Sequence, residues 1–328
     1  MLAAVFRKIG STLELEEVKE PTGGIILKVL ATGLCHGDLH IISGDWKYDI
    51  KIETPRILGH EIVGEVVNDT NTLKSGEKVL VYNSIGCGSC KYCRAGKYQY
   101  CERVKVIGLH MDGGFAEYVK IPSEEILLKI DGDPIEIAPL ADAGITAYNS
   151  VKGISSDDNV LIIGTGAVAL LGLQILKSRG VNVTVVGRNH NRLNKAKELG
   201  ADDVISINGR STIASVIRGY TFNYIIDYVG SNDTLLDSIW LLDREGELRI
   251  VGEFGGTLNI PEQLLVLRGI KVRGILYGSL NDLINVYKLY VEGKIKTIVQ
   301  KYRLDDINKA IADLAEGRIV GRAVIVPP

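Results

Sequence analysis

The chain has 328 residues, 46% of them hydrophobic and 24% charged, with a formal net charge of −2. Such a chain is globular rather than disordered, has room for one large or two ordinary domains, and offers no global basic field to nucleic acid or an anionic membrane. The opening MLAAVFRKIG holds Arg7 and Lys8 but no long apolar run, so no secretory leader is expected and the cytoplasm is the default location.

The first 140 or so residues read as β-rich, with short apolar runs (GGIILKVLATG, IVGEVV, EKVLVY, FAEYVKIP) separated by Gly, Pro and Asn/Asp. From about Ala143 the texture changes. NVLIIGTG predicts a strand and turn, and AVALLGLQILKSRG a helix stopped at Gly180. VNVTVVG is a second strand, and NHNRLNKAKELG a second helix closed by Gly200. Residues 160–176 are apolar enough to suggest a membrane span, but Gly-Thr-Gly breaks them into a buried strand, a turn and a buried helix. The alternation continues through DDVISI, FNYIIDYVG, GELRIVG and IKVRGIL, which implies a parallel sheet covered on both faces. Helical stretches at 280–292 and 304–316 and a final strand in GRAVIVPP complete the chain.

Four of the five cysteines, Cys87, Cys90, Cys93 and Cys101, fall in CGSCKYCRAGKYQYC. In a reducing cytosol, clustered thiols are metal ligands more often than disulfides. The spacing C-x2-C-x2-C-x7-C, in a loop with Gly86, Gly88 and Gly96, lets successive thiolates reach one tetrahedral zinc from a tight turn. No His lies in the cluster, so the site is closed, and a closed site is structural and contributes folding free energy. An iron–sulfur cluster or two disulfides are the alternatives.

The fifth cysteine, Cys35, opens CHGDLH, and His60 and Glu61 follow in GHEIVGEV. An isolated Cys is commonly a small buried hydrophobe. Cys and His are equally suited to a catalytic zinc, which keeps one position open for water or substrate. A third ligand is then needed. Asp142, in APLADAGITAY, is a carboxylate amid apolar residues, where an unpaired charge is expensive. Spacing alone leaves Asp142, Glu61 and Asp38 all open.

The set GLCHGDLH, GHEIVGEV, the four-cysteine loop, GGFAEYV, PLADAGITAY and the Gly-rich turn resembles the zinc-dependent medium-chain alcohol dehydrogenases, in that family's order and over nearly the whole chain. The resemblance implies an α/β protein of three parts: a GroES-like β-rich catalytic domain over 1–145, a Rossmann domain over 146–277, and a C-terminal segment, 278–328, that returns to the first. It implies that Cys35, His60 and Asp142 are catalytic zinc ligands, that Glu61 is an occasional ligand, and that Asp38 orients His60. It makes the cysteine loop the structural-zinc lobe, so two zinc ions per chain are expected. Where the family carries a Ser or Thr that passes the alcohol's proton outward, this chain has Gly37, while His40, further along the relay, is present. It also implies cofactor contacts from His36 and Arg322 at the pyrophosphate and from Thr146 at the nicotinamide, and a dimer or tetramer in which Rossmann sheets meet.

GTGAVA, with Ala169 in the third glycine position, sits between a predicted strand and helix, which raises an otherwise weak motif to a dinucleotide site. Gly164 and Gly166 permit the tight turn, and the helix start at Ala167 and Val168 faces the pyrophosphate. At the end of the second strand an NAD site normally has an acid. Here Gly187 occupies that place, followed by Arg188, Asn189 and Arg192, and no carboxylate appears before Glu198. A small residue beside a guanidinium suits a 2′-phosphate, so NADP is favoured over NAD. The expected function is hydride transfer between the nicotinamide and a small alcohol, aldehyde or ketone. A polyol or sugar is the near variant, for which Trp46, Asp49 and Asn83 are the polar candidates. A non-catalytic relative, motivated by Gly37, and a zinc module for nucleic acid are the other classes. The charge balance opposes the nucleic-acid reading.

Overall fold

A computed structural model describes residues 1–46, 51–207, 212–217 and 219–328. Asp49 lies outside the described residues. The chain divides into two compact units, one of Met1–Ile145, Gly278–Tyr287 and Thr297–Pro328, the other of Thr146–Tyr277 and Lys288–Lys296. The segment after Gly278 is therefore shared. Residues 288–296 go with the second unit, where the Gln174 carboxamide accepts from Lys296 N (2.9 Å) and donates to Lys296 O (3.0 Å).

The first unit is built on a seven-stranded sheet whose longest strand is Ile25–Leu34. The main path runs Leu127–Lys129, Lys78–Val81, Glu61–Val66, Ile25–Leu34, Arg322–Val326 and Val299–Arg303, with Tyr118–Ile121 also paired to Ile25–Leu34. Residues 31–34 are buried on both faces, so that strand runs through the interior and delivers a half-buried Cys35 at its end. The last strand, Arg322–Val326, pairs antiparallel with it, Ala323 opposite Leu34. Phe6, Leu34, Leu58, Phe115, Leu304 and Ile325 lie in the core beside it. Transferring such side chains from water contributes roughly 1.5–3 kcal/mol each. Close backbone packing fixes the turn before His60. A Cβ on Gly113 would lie 2.2 Å from the Gly59 carbonyl oxygen, and Gly59 itself has φ +94°.

The second unit is a parallel sheet. Its six strands lie in the order Asp203–Ser206, Asn182–Gly187, Asn159–Ile163, Phe222–Asp227, Leu242–Ile250 and Lys271–Gly274. In chain order this is 3-2-1-4-5-6, the doubly wound arrangement, and every adjacent pair is parallel. Helices Ala167–Lys177 and His190–Glu198 follow the first two strands in sequence. Each is stopped by a left-handed glycine, Gly180 (φ +77°) and Gly200 (φ +98°), and the following N–H reaches back to close the turn (Val181 to Leu176 O, 3.2 Å; Ala201 to Ala196 O, 3.1 Å). No helix among the described residues is long and apolar enough to cross a membrane.

Candidate metal centres and dinucleotide turn

Antiparallel pairing brings Cys35 and His60 together across 25 residues of sequence. Gly33 lies opposite Glu61, so Cys35, just past one strand, and His60, just before the other, meet at the same end of the ladder. Cys35 then caps the helix His36–Ser43. Asp38, in that helix's first turn and fully buried, accepts from Cys35 N (2.9 Å) with one oxygen and lies 3.5 Å from His60 Nδ1 with the other. One carboxylate thus anchors the Cys35 backbone and lies beside the His60 ring, whose Nε2 is 3.5 Å from Asp142 Oδ2. Asp142 arrives from the break between the 3₁₀ turn Ala138–Ala141 and the helix Ala143–Ser150.

One ligand atom from each of Cys35, His60 and Asp142 lies within 4.8 Å of the others. Tetrahedral zinc with bonds of about 2.0–2.3 Å needs donors roughly 3.5 Å apart, so the set fits such an ion. Burial alone would push the Asp142 carboxyl up, but His60 and Arg322 outweigh it and hold it well below the usual range. Burial pushes the Cys35 thiol up, a state a bound cation would reverse.

Glu61 lies beside this set, although its carboxylate is not among the converging atoms. Its Oε1 accepts from Ala143 N (3.1 Å) and lies 2.8 Å from Arg322 Nη2, a close ion pair not aligned as a hydrogen bond. Burial pushes Glu61 up to about 8, with Arg322 opposing it. Gly33 makes room for this carboxylate, since a Cβ there would fall 1.7 Å from Glu61 Oε2. Arg322 is 4% exposed and also lies 3.6 Å from Asp142 Oδ2. The sequence reading missed this role and that of Gly33. The only signals were a terminal Arg at the start of an apolar strand and a Gly two residues before the lone Cys. His40, in the last turn of its helix, lies 3.7 Å from Asp45 and stacks on Trp46. His36 opens the same helix.

The four loop cysteines converge as a separate set, with Sγ atoms within 4.8 Å of one another. Cys90 and Cys93 lie 3.5 Å apart, and Cys87 and Cys93 3.9 Å, again tetrahedral spacing. Backbone N–H groups of Cys87, Cys93 and Arg103 donate to these sulfurs at 3.4 Å, as charge on thiolates requires. The Ser89 hydroxyl and nearby backbone N–H groups draw the Cys87 thiol well down.

In the second unit Gly164 takes φ +103°, and Gly166 caps the helix Ala167–Lys177 without a side-chain hydrogen bond. A Cβ on Gly166 would meet nothing within 4 Å, so the first N–H groups of that helix, at Ala167 and Val168, face an open approach that suits a pyrophosphate. Gly187 ends the adjacent strand, and a Cβ there would lie 2.9 Å from Thr165 Cγ2, a steric reason for glycine independent of any cofactor. Arg188 is exposed, while Arg192 is half-buried. Asn189 is occupied as a helix cap, accepting from Arg192 N (3.1 Å). Thr146 is buried in the second unit at 7% exposure.

Residues 21–132 match the alcohol dehydrogenase GroES-like domain and residues 167–292 the zinc-binding dehydrogenase domain. The chain is 36% identical to a D-arabinose 1-dehydrogenase (NADP(+)) of Saccharolobus solfataricus, covering 99% of this chain and 97% of that protein. It is 34% identical to an alcohol dehydrogenase of Geobacillus stearothermophilus, covering 99% and 98%. Among solved structures it resembles the alcohol dehydrogenase of the hyperthermophilic archaeon Aeropyrum pernix, with a TM-score of 0.93, 33% identity and full coverage of both chains.

Proposed function

The chain belongs to the zinc-dependent medium-chain alcohol dehydrogenase family, and from that premise we propose how its own residues divide the work of an NAD(P)-dependent alcohol dehydrogenase. Cys35, His60 and Asp142 would hold a catalytic zinc, and Cys87, Cys90, Cys93 and Cys101 a structural one. The convergence of the first three on one point, with Asp38 behind His60, is the observation that carries this reading. When bound, the catalytic ion supplies Lewis acidity that lowers an alcohol's pKa or polarises a carbonyl, and the nicotinamide exchanges hydride with the substrate carbon.

The protein's part is orientation and charge balance. Asp38 keeps the His60 ring in place, and Arg322 balances the carboxylates of Glu61 and Asp142, which a dry interior would otherwise penalise. Gly37 offers no hydroxyl to a proton leaving the substrate, which leaves His40 as the titratable side chain of that helix's last turn. NADP is the favoured cofactor. The exposed Arg188 beside Gly187 and the name of the S. solfataricus relative support that choice.

A cytoplasmic location is part of the same reading, since a reducing compartment keeps such thiols available as ligands. A homodimer or tetramer is also part of this reading, supported by the exposed edge strand Lys271–Gly274.

Initial rates of NADPH and NADH oxidation with a panel of small aldehydes and ketones test the function. Turnover that prefers NADPH and is abolished by a chelator is expected. Chelator-insensitive turnover would remove zinc from the mechanism, and an NADH preference would overturn the reading of Arg188.

A further inference from the structure

The four thiols of the cysteine loop are not equivalent. Cys93 and Cys101 are buried, at 6% and 4% exposure, while Cys87 and Cys90 are half-buried and open in part to solvent. Cys90 Sγ and Cys93 Sγ lie 3.5 Å apart, nearer than the 3.9 Å between Cys87 and Cys93. Local backbone makes the first pair. Cys90 caps the helix Lys91–Arg94 in extended backbone (φ −76°, ψ 168°), and the N–H of Cys93 donates to Cys90 Sγ (3.4 Å). Residues three apart on a helical turn face one side. Cys93 is crowded from behind, since a Cβ on Gly86 would lie 2.4 Å from its sulfur. A disulfide bond is about 2.05 Å long, so the two sulfurs need to approach by only about 1.5 Å.

The charge around the accessible thiols suits their oxidation. Arg94 Nη1 donates to Ser89 O (2.9 Å) and Arg103 Nη2 to Ser89 Oγ (3.4 Å), which sets two guanidiniums at the residue between Cys87 and Cys90. Partly exposed thiols in electropositive surroundings are the ones that oxidants reach. Cys35 is half-buried too, but its companions are His60 and Asp142, so its set holds no second thiol to pair with. The stem of the loop leads back to those ligands. Ser84–Ile85 pairs with Lys105–Val106, and Ile107 N donates to Asn83 O (3.0 Å). The next residue, Gly108, packs so closely that a Cβ would lie 2.7 Å from the oxygen of Gly59, the neighbour of His60.

We propose that Cys90 and Cys93 are a peroxide-responsive dithiol, whose oxidation to a disulfide strips the loop of its zinc and loosens the turn that presents His60. This rests on the reading of the four thiols as a zinc site. The Cys90 thiolate attacks hydrogen peroxide, giving a sulfenic acid and one hydroxide. The Cys93 thiolate then displaces a second hydroxide from that sulfur as the S–S bond forms. Two thiolates lose two electrons, and one peroxide is reduced to two hydroxides. Cys87 and Cys101 remain, too few donors to close a tetrahedron. A thiol reductant and zinc reverse the change.

The test uses the full chain, with its zinc content measured before any oxidant is added. Hydrogen peroxide is expected to release one of two zinc equivalents, read with a colorimetric chelator, in step with the loss of two thiols. Trypsin cuts after Lys91, between the two cysteines, so the bridge should join residues 79–91 to residues 92–94. Fragment-ion sequencing should place it at Cys90 and not Cys87, and Cys35, in residues 29–47, should still be alkylated as a free thiol. Alcohol oxidation should fall about tenfold or more as the zinc leaves, because small displacements of a catalytic group are costly. Dithiothreitol with added zinc should restore both zinc content and rate. A bridge at another pair, oxidation of Cys35 ahead of the loop, zinc retained when peroxide is present in excess, or full activity after the loop has lost its zinc overturns this inference and leaves the oxidoreductase reading standing. A single zinc equivalent before peroxide, unchanged in Cys90→Ser, removes the loop's zinc site and this inference with it.

Discussion

Asp142 is 5% exposed and still held ionised, because His60 and Arg322 outweigh its burial. A carboxylate kept charged in an apolar setting is a strong donor for a divalent ion, and its removal should be felt in the metal before the fold. Asp142→Ala is expected to lose one zinc equivalent, measured by atomic emission. Its kcat/KM should fall roughly a thousandfold or more, because Lewis-acid stabilisation is worth several kcal/mol. Its melting temperature with the structural zinc in place should stay near that of the parent. An unchanged zinc content would move the third ligand to Glu61. The structure weighs against that outcome, because Arg322 and Ala143 N hold Glu61 Oε1 away from the converging atoms.

Two local elements are each tied down at an identifiable point. The cysteine loop contains only the four-residue helix Lys91–Arg94 and the 3₁₀ turn Tyr98–Tyr100, too little to be stable unaided. Cys90→Ser should therefore lose a zinc equivalent and lower the thermal midpoint, the reverse of the Asp142 outcome, in calorimetry paired with metal analysis. The second element is the helix Ile307–Ala315. Asp313 on its inner side accepts from Lys309 Nζ (2.8 Å), Tyr302 Oη (2.8 Å) and Arg318 Nε (2.7 Å). Lys309, then Tyr302 and Arg318, hold its carboxyl well below the ordinary value of 3.8. A depressed folded-state pKa adds stability that is present above the unfolded value and is lost as pH falls toward the folded one. Asp313→Asn should thus lower the melting temperature at pH 7. The gap to wild type should narrow once the pH drops below about 4. A constant gap down to pH 2 would show that packing, and not the charge, is what Asp313 contributes.

At the scale of the whole molecule, the six-stranded sheet ends in an uncovered strand. Every residue of Lys271–Gly274 is exposed, and the preceding helix, Glu262–Arg268, buries none of its residues and presents Val266 and Leu267 at 76% and 72% exposure. Free edges with apolar neighbours recruit another strand unless they are charged or covered. Light scattering should give a dimer or tetramer for the wild type. The double change Val266→Lys/Val272→Lys, at positions already exposed, should shift the mass toward one chain. An unaltered mass would place the subunit contact elsewhere.

The element types were legible in the amino-acid sequence because their causes are local. Alternating apolar runs made the strands, 3.6-residue spacing made the helices, and Gly180 and Gly200 stopped two of them by taking left-handed backbone. The cysteine loop was legible for the same reason, since all four of its thiols lie within 15 residues. What the sequence by itself left open was the partner of each isolated polar group. Asp142, Glu61 and Asp38 were equivalent by spacing, and three-dimensional packing separated them into a member of the converging set, a neighbour bound to Arg322, and the support of His60. Arg322 lies among buried acids, because pairing of the last strand with Ile25–Leu34 carries it inward. Motif spacing encodes residues that act through one continuous turn of chain. Charges that meet across a sheet, such as Arg322 beside Glu61, are decided only by the tertiary structure, because register and burial are properties of the folded whole.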